Sequence, residues 1–540
     1  MSAYMSAYAK LCLDDIRRLY TKGTFYDTKV AQPKSRVEMR MIEASALIRS
    51  TPNWAEILHD EDKCREWTAQ VKDTLKLTDK EVDCVFAELE FYAQLKAGGN
   101  IGEELGGVDM VWVYDTPGGC KLANEFKEKA TKLANDHAAA LLSSEDSKPH
   151  AVTQAVVDPF MHPFSSMASR FLDKPITSPE AALDFVCPVV ETYSQVAGHQ
   201  ALEIAKANGT SDLVDTPGIS NPATTPRILQ SEEEHTTWLP TDFIVSDDGS
   251  VSIRSYINNL HPTRYAELYQ SISKVFAKFV PLLEQVTTDV INPREARAKL
   301  YNNVSATYTE PEPTYSYGDR QILPQSICGL TLQASVEMTN IDLTPDRPTH
   351  DEGRWQAMGR ADERIFAVGL YFYEMENVVS ARLKMRDPVA GQSFKSQEER
   401  EEFCKAYDVT DNYETSHTFS QEFAGIEIKA GRYICYPNLY QVKMPSFTLA
   451  DPTKPGSVKC IAFYIVDPTT KLTSTATVPP RDHSWAKPGE PATLELVDSV
   501  ARAAYKQECA KRDFLRRKHA KKNEKVGHRF EVPLKVNCDI

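Results

Sequence analysis

Few stretches of this 540-residue chain place chemically capable side chains at a workable spacing. One is His350-Asp351-Glu352, an imidazole and a carboxylate two residues apart. A second imidazole follows at His417, and a guanidinium fifteen residues later at Arg432. Two imidazoles and a carboxylate on one face are what an open iron(II) site requires, and an arginine can grip an anionic cosubstrate. Against that reading, His350 and Glu352 lie in a polar, proline-rich approach (TPDRPTHDEGRW) rather than on a strand. Other chemistries have less support. There is no Gly-x-Ser-x-Gly elbow, no His-Glu-x-x-His, and no kinase or P-loop signature. The glycine-rich residues 98–107 lack the Gly-Lys-Ser/Thr ending and follow a helical pattern, so they read as a linker. His261, beside Pro262 at a helix entry, reads as a structural hydrogen-bonding residue, and His483 has no partner at ligand spacing.

Eleven cysteines, an odd number, form neither a Cys-x-x-Cys pair nor a zinc spacing. They read as reduced thiols of a cytosolic protein. Cys435 and Cys460 fall in apolar runs and read as inert core thiols. A formal charge of −14 argues against binding nucleic acid over the whole surface. With no run of eighteen apolar residues and no signal-peptide pattern at the start, the expectation is the cytoplasm, with the nucleus as the alternative, and no membrane partner.

The elements that would position any site come in two kinds. Residues 1–230 read as mainly helical. Residues 37–48 carry apolar positions at helical spacing, and Thr78 with Glu81 forms a capping box opening a helix to about residue 95. Residues 124–142 and 179–207 read as further helices. Residues 209–234, rich in Pro, Thr, Ser and Asp, read as a linker, which sets a boundary near 230. Beyond it, residues 238–253 read as a β-hairpin with a Gly-containing turn, and residues 265–290 as a helix. Apolar, β-branched and aromatic runs at 330–338, 365–373, 432–441 and 459–468 read as strands of a β core. Residues 386–418 look charged and irregular, a surface excursion. Residues 491–523 read as a helix ending in Lys511-Arg512, Arg516-Arg517-Lys518 and Lys521-Lys522. Those cations suit a helix C-terminus; the sharper alternative is an anionic partner or a nuclear import signal.

The words of the second half, in order, resemble a large and mostly uncharacterised fungal family. Its pattern runs Trp-His-x-Glu-Gly, a Tyr-Tyr strand, Pro-Asn-x-x-Gln-His-Arg, then Asp-Pro-Thr-Lys-Pro-Gly-His-Arg. That pattern looks like the jelly-roll oxygenases that use iron(II) and 2-oxoglutarate, where His-x-Glu and a distant His hold the metal and a later Arg holds the cosubstrate. Trp355, Gly359, Pro437, Asn438, Gln441 and residues 450–456 keep the family's scaffold words. The ligand words are gone. Gln356 stands for the first His, Met358 for the carboxylate, Val442 for the distal His, and Ser457-Val458 for His-Arg.

The element reading and the resemblance together imply an α+β protein: a helical N-terminal region (1–230), a double-stranded β-helix, or jelly-roll, core with flanking helices (231–490), and a basic helix and tail (491–540) that departs from the family's more acidic tail. The resemblance also implies a degenerate oxygenase with no iron or 2-oxoglutarate at the usual site, acting as a binding or scaffold protein for an unidentified protein or small molecule. Gln356, Met358, Gln441, Val442, Lys443 and Val458 would then line or border the former pocket. The alternative is an enzyme. It would be a cofactor-independent one using polar groups such as Gln356, Tyr373 and Lys443, or an iron(II) and 2-oxoglutarate oxygenase relocated to His350, Glu352 and His417.

Overall fold

The computed structural model describes residues 33–96, 103–117, 120–142, 153–159, 161–165, 171–172, 174–185, 219–220, 236–291, 310–313, 325–359, 363–389, 394, 396–411, 419–480 and 485. Within them α and β elements mix, with a helical N-terminus and two large antiparallel sheets. The expected helices 491–523 and 186–207 lie outside the described residues, as does His483. What is described of the 179–207 segment is a short 3-10 helix, Glu180–Phe185.

Among the described residues, four helices lie within the first 142 positions: α1 (Arg36–Arg49), α2 (Glu61–Leu75), α3 (Asp79–Leu95) and α4 (Lys121–Leu142). Their ends are set by local chemistry. The Ser35 hydroxyl accepts the Glu38 N–H at 3.1 Å, and Thr78 and Glu81 form the reciprocal capping box. A fifth helix, α5 (Ala266–Ile291), buries an aromatic and aliphatic face that includes Phe276, Phe279 and Leu283.

Among the described residues the larger sheet has nine strands. Eight follow the order β1 (Glu103–Leu105), β2 (Trp112–Asp115), β17 (Arg432–Pro437), β12 (Ile365–Glu376), β20 (Gly456–Val466), β10 (Thr331–Leu343), β8 (Thr241–Val245) and β9 (Val251–Ile253). The ninth, β3 (Thr153–Val157), pairs with β10 beyond β8. Three of the nine thus come from before residue 230, a stretch whose helical signal hid them. β1 lies within the glycine-rich segment expected to be a linker. A three-residue strand has no periodicity to read, and only its pairing with β2 defines it. Short ribbons complete this part: β4 (Phe164–Ser165) with β7 (Thr236–Thr237), and β5 (Phe171–Leu172) with β6 (Ile219–Ser220).

The smaller sheet is built on β13 (Ala381–Val389), which pairs with β15 (Phe419–Glu422), β16 (Ile426–Ile428) and β18 (Gln441–Lys443); β14 (Thr410–Asp411) extends it beside β15. Nearby, β11 (Thr349–His350) pairs with β19 (Phe447–Thr448). The described residues of the stretch taken as an irregular excursion, 386–389, 394 and 396–411, are instead largely regular: they supply the end of β13, β14 and a further helix, α6 (Gln397–Tyr407), which buries Phe403, Ala406 and Tyr407 against Phe419.

Alternation along the strands makes two cores. Tyr371, Tyr433, Cys435, Ile461, Phe463 and Ile465 face the helices. Val368, Leu370, Ile434, Tyr436, Ala462 and Tyr464 face the other way, onto Leu383, Met385, Ile426 and Val442 of the smaller sheet. No helix of the described residues is long and apolar enough to cross a membrane.

Candidate functional site

Three of the positions to which the resemblance assigns ligands, Met358, Val442 and Val458, meet the space between the two sheets. Val442 and Val458 are 4 % and 2 % exposed and belong to the inter-sheet core, with Met358 packed against it. Gln356 joins this edge through its backbone: its N–H donates to the Val442 carbonyl at 3.1 Å, and the Val442 N–H donates back at 2.9 Å. Gln441 and Lys443, flanking Val442 on β18, turn to the opposite face. There the Gln441 Oε1 accepts from Arg386 Nε at 2.6 Å, and Lys443 Nζ lies 2.8 Å from Glu352 Oε2. Val458 of β20 and Val442 of β18 thus meet the inter-sheet core from opposite sheets, whereas Gln441 and Lys443 lie on the far face of the smaller one. None of the six positions lines the cleft of about 290 Å³ between α1 and the β15–β16 turn.

The donor set does not suit iron(II). A thioether and two isopropyl groups occupy the core, and the one polar substitute is a neutral amide.

Glu352 has another employment. Its carboxylate bridges Lys384 and Lys443, whose hydrogen bonds hold it below the usual carboxylate range despite the opposing cost of burial. His350 sits across from Phe447 in the β11–β19 pair and is half-buried; burial pushes its pKa down, with Asp351 opposing. Among the described residues its Nδ1 has no hydrogen-bond partner. His417 lies outside the described residues, and among those described no group of three His, Cys, Asp or Glu could hold a metal ion. Arg432, the expected carboxylate grip, is bidentate to Asp115 at 2.7 and 2.8 Å and ties β17 to β2. Tyr373 faces the helices, where its hydroxyl donates to Asn340 at 3.1 Å.

The retained words have mechanical work. The Trp355 ring lies 4.6 Å from the Arg386 guanidinium and 4.7 Å from Lys443 Nζ, which fixes the loop carrying Gln356 and Met358. Asn438 clamps that loop from β17: it accepts the Met358 N–H at 2.9 Å and donates to the carbonyls of Met358 and Ile365. Gly359 has φ +71°, and a Cβ there would come within 2.8 Å of Ile365. Residues 450–456 are held by Asn377, whose amide nitrogen faces the carbonyls of Asp451, Lys454 and Pro455.

Residues 79–489 match the sequence model of a family described as "Protein of unknown function (DUF4246)", 411 of the chain's 540 residues. The chain belongs to this family. No curated protein matches it. Among solved structures, this DUF4246 chain is similar to the Fe(II)/(alpha)ketoglutarate-dependent dioxygenase TqaL, at 8 % identity and TM-score 0.21, over 66 % of this chain and 95 % of that one. It is also similar to a bsmA homologue from Methylobium petroleophilum PM1, at 9 % identity and TM-score 0.17, over 43 % and 65 %.

Sequence reasoning missed the supports of this DUF4246 site: Asn377, Arg386 and the Glu352–Lys384 pair. One signal was available, since Arg382-Leu383-Lys384-Met385-Arg386 alternates charged and apolar residues as a half-buried strand should. Cys435 and Cys460 are buried, and burial pushes both thiols far up, away from nucleophilic use. His261 accepts the Arg264 N–H at 3.3 Å at the entry to α5.

Proposed function

We propose that this protein is a jelly-roll member of its family that has lost iron and 2-oxoglutarate binding and serves as a non-catalytic binding or scaffold module in the cytoplasm. One observation carries the reading: Met358, Val442 and Val458, at the positions where the resemblance puts a carboxylate, an imidazole and a guanidinium, pack into the apolar core between the sheets. A divalent cation there would lose its hydration shell and gain no anionic donor. The retained motif residues support the same reading, because their side chains and turns hold backbone in place.

A second reading has a specific support. The Nδ1 of half-buried His350 has no hydrogen-bond partner among the described residues, so an iron site using His350, Glu352 and His417 is the enzyme alternative. To serve it, Glu352 would have to leave Lys384 and Lys443. The test is metal analysis of protein purified anaerobically and then supplied with iron(II), paired with thermal melting with and without 2-oxoglutarate. We expect less than stoichiometric iron and no cosubstrate-dependent rise in Tm. Stoichiometric iron with a rise abolished by His350→Ala would establish the second reading instead.

A further inference from the structure

The cleft of about 290 Å³ lies between α1, the Gly107 turn, the C-terminal end of α6 and the β15–β16 turn. That volume is at the lower edge of small-molecule pockets, about 300 to 1,000 Å³, and suits one or two side chains better than a cofactor. Met39, Ile42 and Phe423 line it with apolar surface, and Glu43, Asp408 and Glu422 line it with acid. These three carboxylates make no ion pair or hydrogen bond among the described residues. Asp408 also closes the C-terminal end of α6, where the helix dipole adds negative potential. Of the two cations at the cleft, Arg40 is already engaged by Glu310 at 2.7 Å and Glu81 at 3.1 Å. Arg36 is the other, and its charge already acts on Glu310, so the lining's three unpaired acids face one arginine without a contact ion pair among the described residues.

The sequence carries the complement. Between residues 511 and 522 stand Lys511, Arg512, Arg516, Arg517, Lys518, Lys521 and Lys522 against Asp513 alone: seven cations against one anion, a net of six positive charges. With the whole chain at −14, everything outside this run carries −20.

We infer that the cleft is the docking seat of the chain's own basic run, residues 511–522, with a Lys or Arg stem lying on Met39, Ile42 and Phe423 and its charged head among Glu43, Asp408 and Glu422. Such side chains cover apolar surface with their stems while keeping the cation at the rim. Reach is no obstacle. Residues 485 and 511 are 26 positions apart, enough for about 85 Å of extended chain, whereas a globule of this length is about 60 Å across from its radius of gyration. Tethering makes the event intramolecular, with an effective concentration in the millimolar range, so individually weak exposed ion pairs suffice. The inference stands whether or not the β core binds iron.

The test uses the full chain. Carbodiimide coupling of lysine to carboxylate at low salt, mapped by mass spectrometry, should join Lys518, Lys521 or Lys522 to Glu43, Asp408 or Glu422. The links should fall severalfold at about 0.5 M salt, where the Debye length shrinks to a few ångströms. In an equal mixture of ¹⁴N- and ¹⁵N-labelled chains they should carry one isotope only; mixed-isotope links would replace the inference with pairing between two copies. A second arm is limited trypsin digestion. Glu43→Gln/Asp408→Asn/Glu422→Gln protein should be cut within 511–522 severalfold faster than wild type. Equal cutting rates, or coupling to other carboxylates, would overturn the seat.

Discussion

At the scale of single residues, the difference between a ligand and a core filler is a few atoms. Val442 occupies a position where an imidazole is the family expectation, and its isopropyl group instead completes the packing around Met385 and Ile426. Because the position is buried, restoring the imidazole should cost stability: Val442→His puts ring nitrogens into an apolar core without partners. We expect a loss of about 2 kcal/mol, read from urea unfolding as a lower midpoint at unchanged slope. A change within about 0.5 kcal/mol, as for surface positions, would mean that the inter-sheet space is open at this point. Lys443, one residue on, shows how sharply a strand sorts its neighbours. Its ammonium lies on the far face with Trp355 and Glu352, out of reach of the same core.

At the scale of elements, the fit of α5 on the larger sheet decides how the helices attach. Phe279 of α5 stacks edge-on against Tyr433 and Phe463, and its ring lies over Gly369 of β12. A Cβ at Gly369 would come within 2.9 Å of two ring carbons of Phe279. Gly369→Ala should therefore destabilise by about 1–3 kcal/mol through overpacking, measured by urea unfolding. Gly369→Ala combined with Phe279→Leu should recover part of that loss, and if it recovers nothing, the close approach is not the cause. The smaller sheet depends on a different device, since β13 is tied on one edge to β15 and elsewhere to β16 and β18, so one strand pairs directly with three of the other four in its sheet.

At the scale of the whole molecule, charge is managed by pairing acids at the joints. Glu374, 5 % exposed at the end of β12, meets Lys459 at 2.7 Å and Lys127 of α4 at 3.2 Å. Burial alone would raise its pKa, but Lys459, Ser457 and Lys127 hold it below the usual value. A carboxylate held low in the folded state stabilises above its unfolded pKa, near 4.3, and that contribution is lost as pH falls through the folded value. Glu374→Gln should therefore narrow the gap between stability at pH 7 and at pH 3.5, and an unchanged gap in pH-dependent urea melts would remove Glu374 from the acid response. The sequence by itself determined the helices with strong caps and long periodicity, such as the one opened by Thr78, and the long apolar strands. It also determined that Met358 and Val442 carry neither a carboxylate nor an imidazole. Those features depend on neighbours within a turn or two, which the chain order contains. Only the tertiary structure decided that β1, β2 and β3 join the larger sheet, that β13 anchors the smaller one, and that Glu352 and Arg432 are bound to Lys384, Lys443 and Asp115. Short strands and ion pairs of this kind are defined by partners tens to hundreds of residues away, and no local pattern names the partner.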